Sequence, residues 1–206
     1  MEIRPSWKRW TMAESATSDR IWFLGNPWPK GHKINEFKWG ASLREGEAGK
    51  LKEVWCWMNL MTEDYNSEGP GNDEDSSDFG DARIKKLGWT SPSVWKNYHS
   101  CGFTATDEGD FRLCTQEQYN PDFLDGHEIE VDTNRKIMAD DERAFDFYLL
   151  GHDDVGCHRM KFERVADSNK FKILWSGKIA LTYSGHYDFE FDFTAVIGNA
   201  ELPELK

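Results

Sequence analysis

The chain has 206 residues, 38% of them hydrophobic, and a formal net charge of −12. That acidity argues against general nucleic-acid binding and against an anionic membrane surface, since both need a surplus of cationic side chains. Neither an 18-residue apolar run nor the apolar core of a secretory leader is found, so a soluble, cytoplasmic protein is expected.

A modest apolar fraction is offset by 13 Phe, 10 Trp and 6 Tyr. Each aromatic side chain buries a large area, so one β-rich domain spanning 1–206 can still build a core. Cys56, Cys101, Cys114 and Cys157 show no CxxC spacing. In a cytoplasmic chain they are expected as reduced thiols.

Residues 1–32 are rich in Trp and Pro, with a short buried strand at 20–24 closed by Gly25-Asn26-Pro27. Pro27-Trp28-Pro29 reads as a loop pinned over a core edge or as an exposed aromatic surface. Alternation returns at Phe37, Trp39, Ala41 and Leu43, followed by a polar loop and a second strand through 51–61. Val54-Trp55-Cys56-Trp57-Met58 is apolar on both faces, as in a strand covered on both sides or placed at an interface. These two segments form a predicted hairpin.

The stretch at about 63–81 gathers Glu63, Asp64, Glu68, Asp73, Glu74, Asp75, Asp78 and Asp81. As a helix–loop–helix calcium loop it fails. Counting from Asp73, the glycine position is Asp78 and the glutamate position is Ile84. It reads as a solvated acidic loop. Further on, 83–89 reads as a strand, and Ser91-Pro92 opens a short helix, with Ser as cap and Pro in the first turn. Residues 103–106 and 111–114 suggest a hairpin around Asp107-Glu108-Gly109-Asp110.

A regular meander follows, with strands predicted at 127–133, 143–150, 158–166, 170–183 and 187–197. Its clearest part is the pair of arms Phe171, Ile173, Trp175, Gly177, Ile179, Leu181, Tyr183 and Tyr187, Phe189, Phe191, Phe193, Ala195, Ile197. Strict period two means one buried and one wet face. Apolar residues meet apolar residues only with a three-residue loop at 184–186. Ile179 then faces Phe191, Gly177 faces Phe193 and Trp175 faces Ala195. Gly177 keeps the parity, marking a kink or a close backbone approach. The same test pairs Phe162 with Ile173, Met160 with Trp175, Phe147 with Phe162, Leu149 with Met160 and Val131 with Phe145. It leaves a 152–157 loop and sets His158 beside Gly177 on the buried face. The fold expected is all-β and mainly antiparallel, a two-sheet sandwich or flattened barrel with a five-strand C-terminal meander and one or two short helices.

Four of the six histidines follow glycine, and His127, His152, His158 and His186 fall towards one end of the sheet. The register removes His127, about 10 Å from His158, and His186, about 30 Å away, from any shared ion. His152, Asp154, Cys157 and His158 remain as a candidate set for zinc or another divalent metal, although their spacing matches no standard zinc motif. The competing reading makes His158 a hydrogen-bonded residue at the core edge. Phosphate-loop, Rossmann, nucleophile-elbow and HExxH signatures are absent. Glu128 with Glu130, and Asp188 with Glu190 and Asp192, alternate along wet strand faces.

Three functions fit this pattern. The leading expectation is a non-catalytic domain binding a protein partner, with a basic partner suiting the charge; acidic inhibitors and immunity-type proteins belong to this class. The alternative is a carbohydrate or small-molecule binding module, with Trp28, Trp55, Trp57 and Trp89 as candidate stacking residues in an aromatic-lined concavity. The third is a metal-dependent enzyme built on the 151–158 loop.

Overall fold

The computed structural model describes residues 19–24, 31–46, 51–64, 101–106, 109–133, 143–149, 151–182 and 185–206. Within them lie ten strands. In chain order these are β1 (Arg20–Phe23), β2 (His32–Arg44), β3 (Glu53–Thr62), β4 (Gly102–Ala105) and β5 (Phe111–Thr115), then β6 (Glu128–Val131), β7 (Phe145–Tyr148), β8 (His152–Arg164), β9 (Lys170–Ala180) and β10 (Phe191–Glu201). Helix in these residues comprises a 3-10 turn at Gln116–Gln118, one α turn, α1, at Pro121–Leu124, and 3-10 conformation at Thr182. No helix among the described residues is long and apolar enough to cross a membrane.

Every strand pairing is antiparallel, and the sheet closes on itself. β1 joins β2 to β10, and pairing continues around the ring through β9, β8, β7, β4 and β3 back to β2. The result is an eight-stranded up-and-down barrel, which corrects the two-sheet sandwich in favour of the barrel form. Period two shows which face of a strand is buried, but not which strand lies across each edge. Here closure depends on β1, whose four residues are too few to carry that information.

The wall divides between its fourth and fifth staves. β4 and β5 both run along β3, at Leu60–Met61 and at Glu53–Cys56. β6 and β7 likewise share one edge of β8. The predicted hairpin of 103–106 with 111–114 is therefore two collinear pieces of one stave. Val131 pairs with His158 rather than Phe145 for the same reason. β4 pairs with β7 at one end; at the other, β5 and β6 do not pair, and α1 lies between them along the chain. Its Asn120 cap accepts from Phe123 N at 2.9 Å, and Pro121 starts the turn where its missing N–H costs nothing.

An eight-stranded barrel is just wide enough for side chains to fill it, and aromatics do so here. Phe103 lies 4.5 Å from Phe147, 4.7 Å from Trp175 and 5.1 Å from Phe193, centroid to centroid. Each such ring contributes about 1.5–3 kcal/mol over an exposed one. The β9–β10 register is as expected, with Ile179 opposite Phe191, Gly177 opposite Phe193 and Trp175 opposite Ala195. Met160–Trp175 and Phe162–Ile173 also hold. Gly177 marks a close approach, since a Cβ there would fall 2.5 Å from Phe193 Cε1.

Other expectations fail at strand ends. The β9–β10 strands stop at Ala180 and restart at Phe191, so the connection is longer than 184–186, and Tyr187 is 76% exposed. β7 pairs Phe147 with Asp153, not Phe162, which makes 152–157 part of β8. The strand at 83–89, the helix after Ser91 and the acidic stretch beyond Asp64 lie outside the described residues.

Candidate functional site

The four candidate metal ligands occupy β8, where a bulge separates them. Gly156 pairs with Lys178 and Arg159 with Ser176, so β8 carries one extra residue there, and Cys157 sits at φ +52°. His152 lies exposed on the outer face, its ring 5.5 Å from Tyr148. Asp154 Oδ1 meets Arg143 Nη1 at 2.7 Å. Cys157 is half-buried at the bulge, and His158, one residue on, points inward and is 1% exposed. Without the extra residue, positions 152, 154 and 158 would share one face. With it, the four do not converge, and no group of three or more His, Cys, Asp or Glu among the described residues is arranged to hold a metal ion.

His158 follows the competing reading. Trp175 Nε1 donates to its Nδ1 at 3.1 Å, which places the imidazole proton on Nε2. Nε2 faces Asp132 Oδ2 at 3.8 Å, too far for a hydrogen bond, and finds no other partner among the described residues. Burial lowers the His158 pKa to about 3 and raises that of Asp132. His127 is closer in the sheet than expected, because β6 abuts β8 directly. It still lies near Phe162, whose N–H its carbonyl accepts at 3.0 Å, four residues along from His158.

Of the four candidate Trp residues, Trp28 and Trp89 lie outside the described residues. Trp55 and Trp57 share the outer face of β3, because Val54, Cys56 and Met58 point into the core. Trp55 lies beneath the Arg44 guanidinium, 4.6 Å from its centroid, and Arg44 is held by Asp110 at 2.6 Å. Trp57 stands opposite Gly40 on β2. A Cβ at Gly40 would fall 2.5 Å from Nε1, 2.6 Å from Cε2 and 2.7 Å from Cζ2 of Trp57. These three atoms run along one edge of the indole, so that edge packs on the β2 backbone in space that only glycine leaves.

Beside Trp57, no strand among the described residues lies between β2 and β10 beyond the start of β1. β1 pairs with β2 only at His32 and Lys33, whereas β2 and β10 both run on past the point where β1 begins. Between them opens a cleft of about 520 Å³. Phe37 and Trp39, on the inward face of β2, form its floor, and Trp57 forms one wall. Trp39 is fixed twice: its Nε1 donates to the Glu201 carbonyl at 2.7 Å, and its ring stacks on Phe162 at 5.9 Å. Asp19 closes one end by accepting from Ile34 N at 2.9 Å through its carbonyl and from Gly198 N through its carboxylate. Lys206 closes the other, bridging Ala41 and Leu43 through its backbone. Asn35 and Asn199 complete the polar rim.

This cleft was not anticipated. Trp39 reads in sequence as an ordinary inward residue. The usable signal was Gly40 inside an alternating strand: pairing Phe37 with Leu60 and Trp39 with Met58 puts Gly40 opposite Trp57. No family model, curated protein or solved structure matches this chain.

Proposed function

We propose that the chain is a non-catalytic binding domain that holds a small molecule in the cleft between β2 and β10. The supporting observation is a lining that joins Phe37, Trp39 and Trp57 with polar residues around them. Apolar linings with a few placed polar groups, in volumes of roughly 300–1,000 Å³, are typical of small-molecule sites. Among the described residues the barrel interior is filled by side chains, and the cleft between β2 and β10 is a concavity open to a ligand.

A protein partner drawn by acidic faces is the competing reading. Several carboxylates of the outer wall are already engaged by neighbours: Lys178 with Asp192, Arg159 with Glu128 and Arg164 with Asp122. Such pairing weakens long-range steering of a basic partner. Metal-dependent catalysis is not proposed, because the bulge in β8 sends its candidate ligands to different faces.

A ligand-observed NMR screen of the full chain with a fragment library tests the reading. Binders that lose their signal with Trp57→Ala support it. A screen without binders, or with the same binders for both proteins, overturns it.

A further inference from the structure

We infer that the ligand of this cleft is a neutral saccharide whose apolar ring face packs on the indole of Trp57. The inference rests on the cleft being the ligand site and adds the class of molecule. The Nε1 edge of the indole is pressed against the backbone at Gly40, and Trp57 also lines the cleft, so the ring is held in place beside it. A ring held this way loses little side-chain freedom when a ligand arrives.

The polar lining narrows the chemistry. The lining residues include Asp19 and Glu201 alongside Lys38 and Lys206, so acidic and basic residues are balanced around the cleft. Lys38 is further engaged by Glu36, and one Asp19 carboxylate oxygen is taken by Gly198 N. The side-chain amides of Asn35 and Asn199 each carry both donor and acceptor atoms. Hydroxyl groups, which also donate and accept, match them. A pyranose presents both halves of this lining at once: a C–H face for the indole and a rim of hydroxyls for the amides. A purely apolar ligand would leave the rim amides without partners on desolvation, at a cost in affinity.

The test is calorimetric titration of the full chain with glucose, galactose, N-acetylglucosamine and their disaccharides. Glucuronic acid and glucosamine serve as charged counterparts, and coumarin as a neutral planar probe. At least one neutral sugar is expected to bind more tightly than its charged counterpart. Trp57→Ala should weaken that sugar by about tenfold or more, and Trp57→Phe much less. Gly40→Ala, which keeps Trp57 but displaces its ring, should weaken it comparably; should that variant not fold, the two Trp57 variants carry the test. Equal sugar binding by wild type and Trp57→Ala overturns the packing on Trp57. If coumarin binds in a Trp57-dependent way while no sugar does, the saccharide assignment falls and the small-molecule cleft stands. If no probe binds, both fall.

Discussion

Inside the barrel, the indole N–H of Trp175 donates to Nδ1 of His158 across 3.1 Å, joining β9 to the bulged segment of β8. This bond fixes the tautomer of His158, and burial keeps the ring neutral. The bulge that directs His158 inward thus turns a candidate ligand into a core hydrogen-bond acceptor. Its Nε2–H, aimed at Asp132 without reaching it, is a buried donor that costs stability.

Acid sensitivity follows from that arrangement. The folded pKa of His158, about 3, lies below its ordinary value of 6.5, so between these limits the unfolded chain binds more protons. The stability that His158 contributes is complete above about pH 6.5 and is lost as pH falls towards 3, by at most ~5 kcal/mol. Asp132, whose pKa is raised by burial, acts in the opposite sense above 3.8. His158→Gln should flatten the fall in urea midpoint between pH 6.5 and 4, while lowering stability at pH 7 by about 1–3 kcal/mol. An unchanged acid limb in this variant would show that other groups govern it.

Gly177 should tolerate no side chain. A Cβ would lie 2.5 Å from Phe193 Cε1 and 3.1 Å from the Gly156 carbonyl, and Phe193 is hemmed in by Phe103 and Trp175. Gly177→Ala should cost about 1–3 kcal/mol in urea unfolding. Combined with Phe193→Leu it should cost less than the sum of the two single changes, because the clash is shared. A loss below about 0.5 kcal/mol for Gly177→Ala would contradict the close approach.

Thiol chemistry offers a third check. None of the four cysteines is in a disulfide, and three are buried. Burial pushes Cys101 up to about 12 and Cys114 to about 11, and raises Cys56 further still. Ellman's reagent should therefore titrate Cys157 first in the native chain and the other three only on unfolding. Early loss of that reaction in Cys157→Ser would agree. Fast reaction of several thiols in the native protein would not.

Sequence periodicity made the strand faces legible and, where both arms were long, the register as well. Phe171 to Ile197 carried enough alternating aromatics for one pairing to prevail. It failed wherever one residue changes the parity: the bulge at 156–159, the shift between Ile34 and Glu36, and the shift between Ile197 and Ala200. A bulge rests on local backbone geometry that apolar patterning does not encode. Closure of the barrel and the cleft beside β1 were hidden for a related reason. Both depend on a four-residue strand, one of whose partners, β10, lies far away in sequence. The candidate Trp57 was found from its residue type, but its role comes from Gly40 across the strand.

The most direct measurement is a ¹H–¹⁵N correlation spectrum of the Trp indole N–H groups, assigned by substitution and followed during titration with the tightest-binding sugar. The Trp57 resonance should move most, followed by Trp39 on the cleft floor, while the core indole of Trp175 stays in place. Saturable shifts confined to other Trp residues, or none at all, would contradict a ligand site in the cleft between β2 and β10.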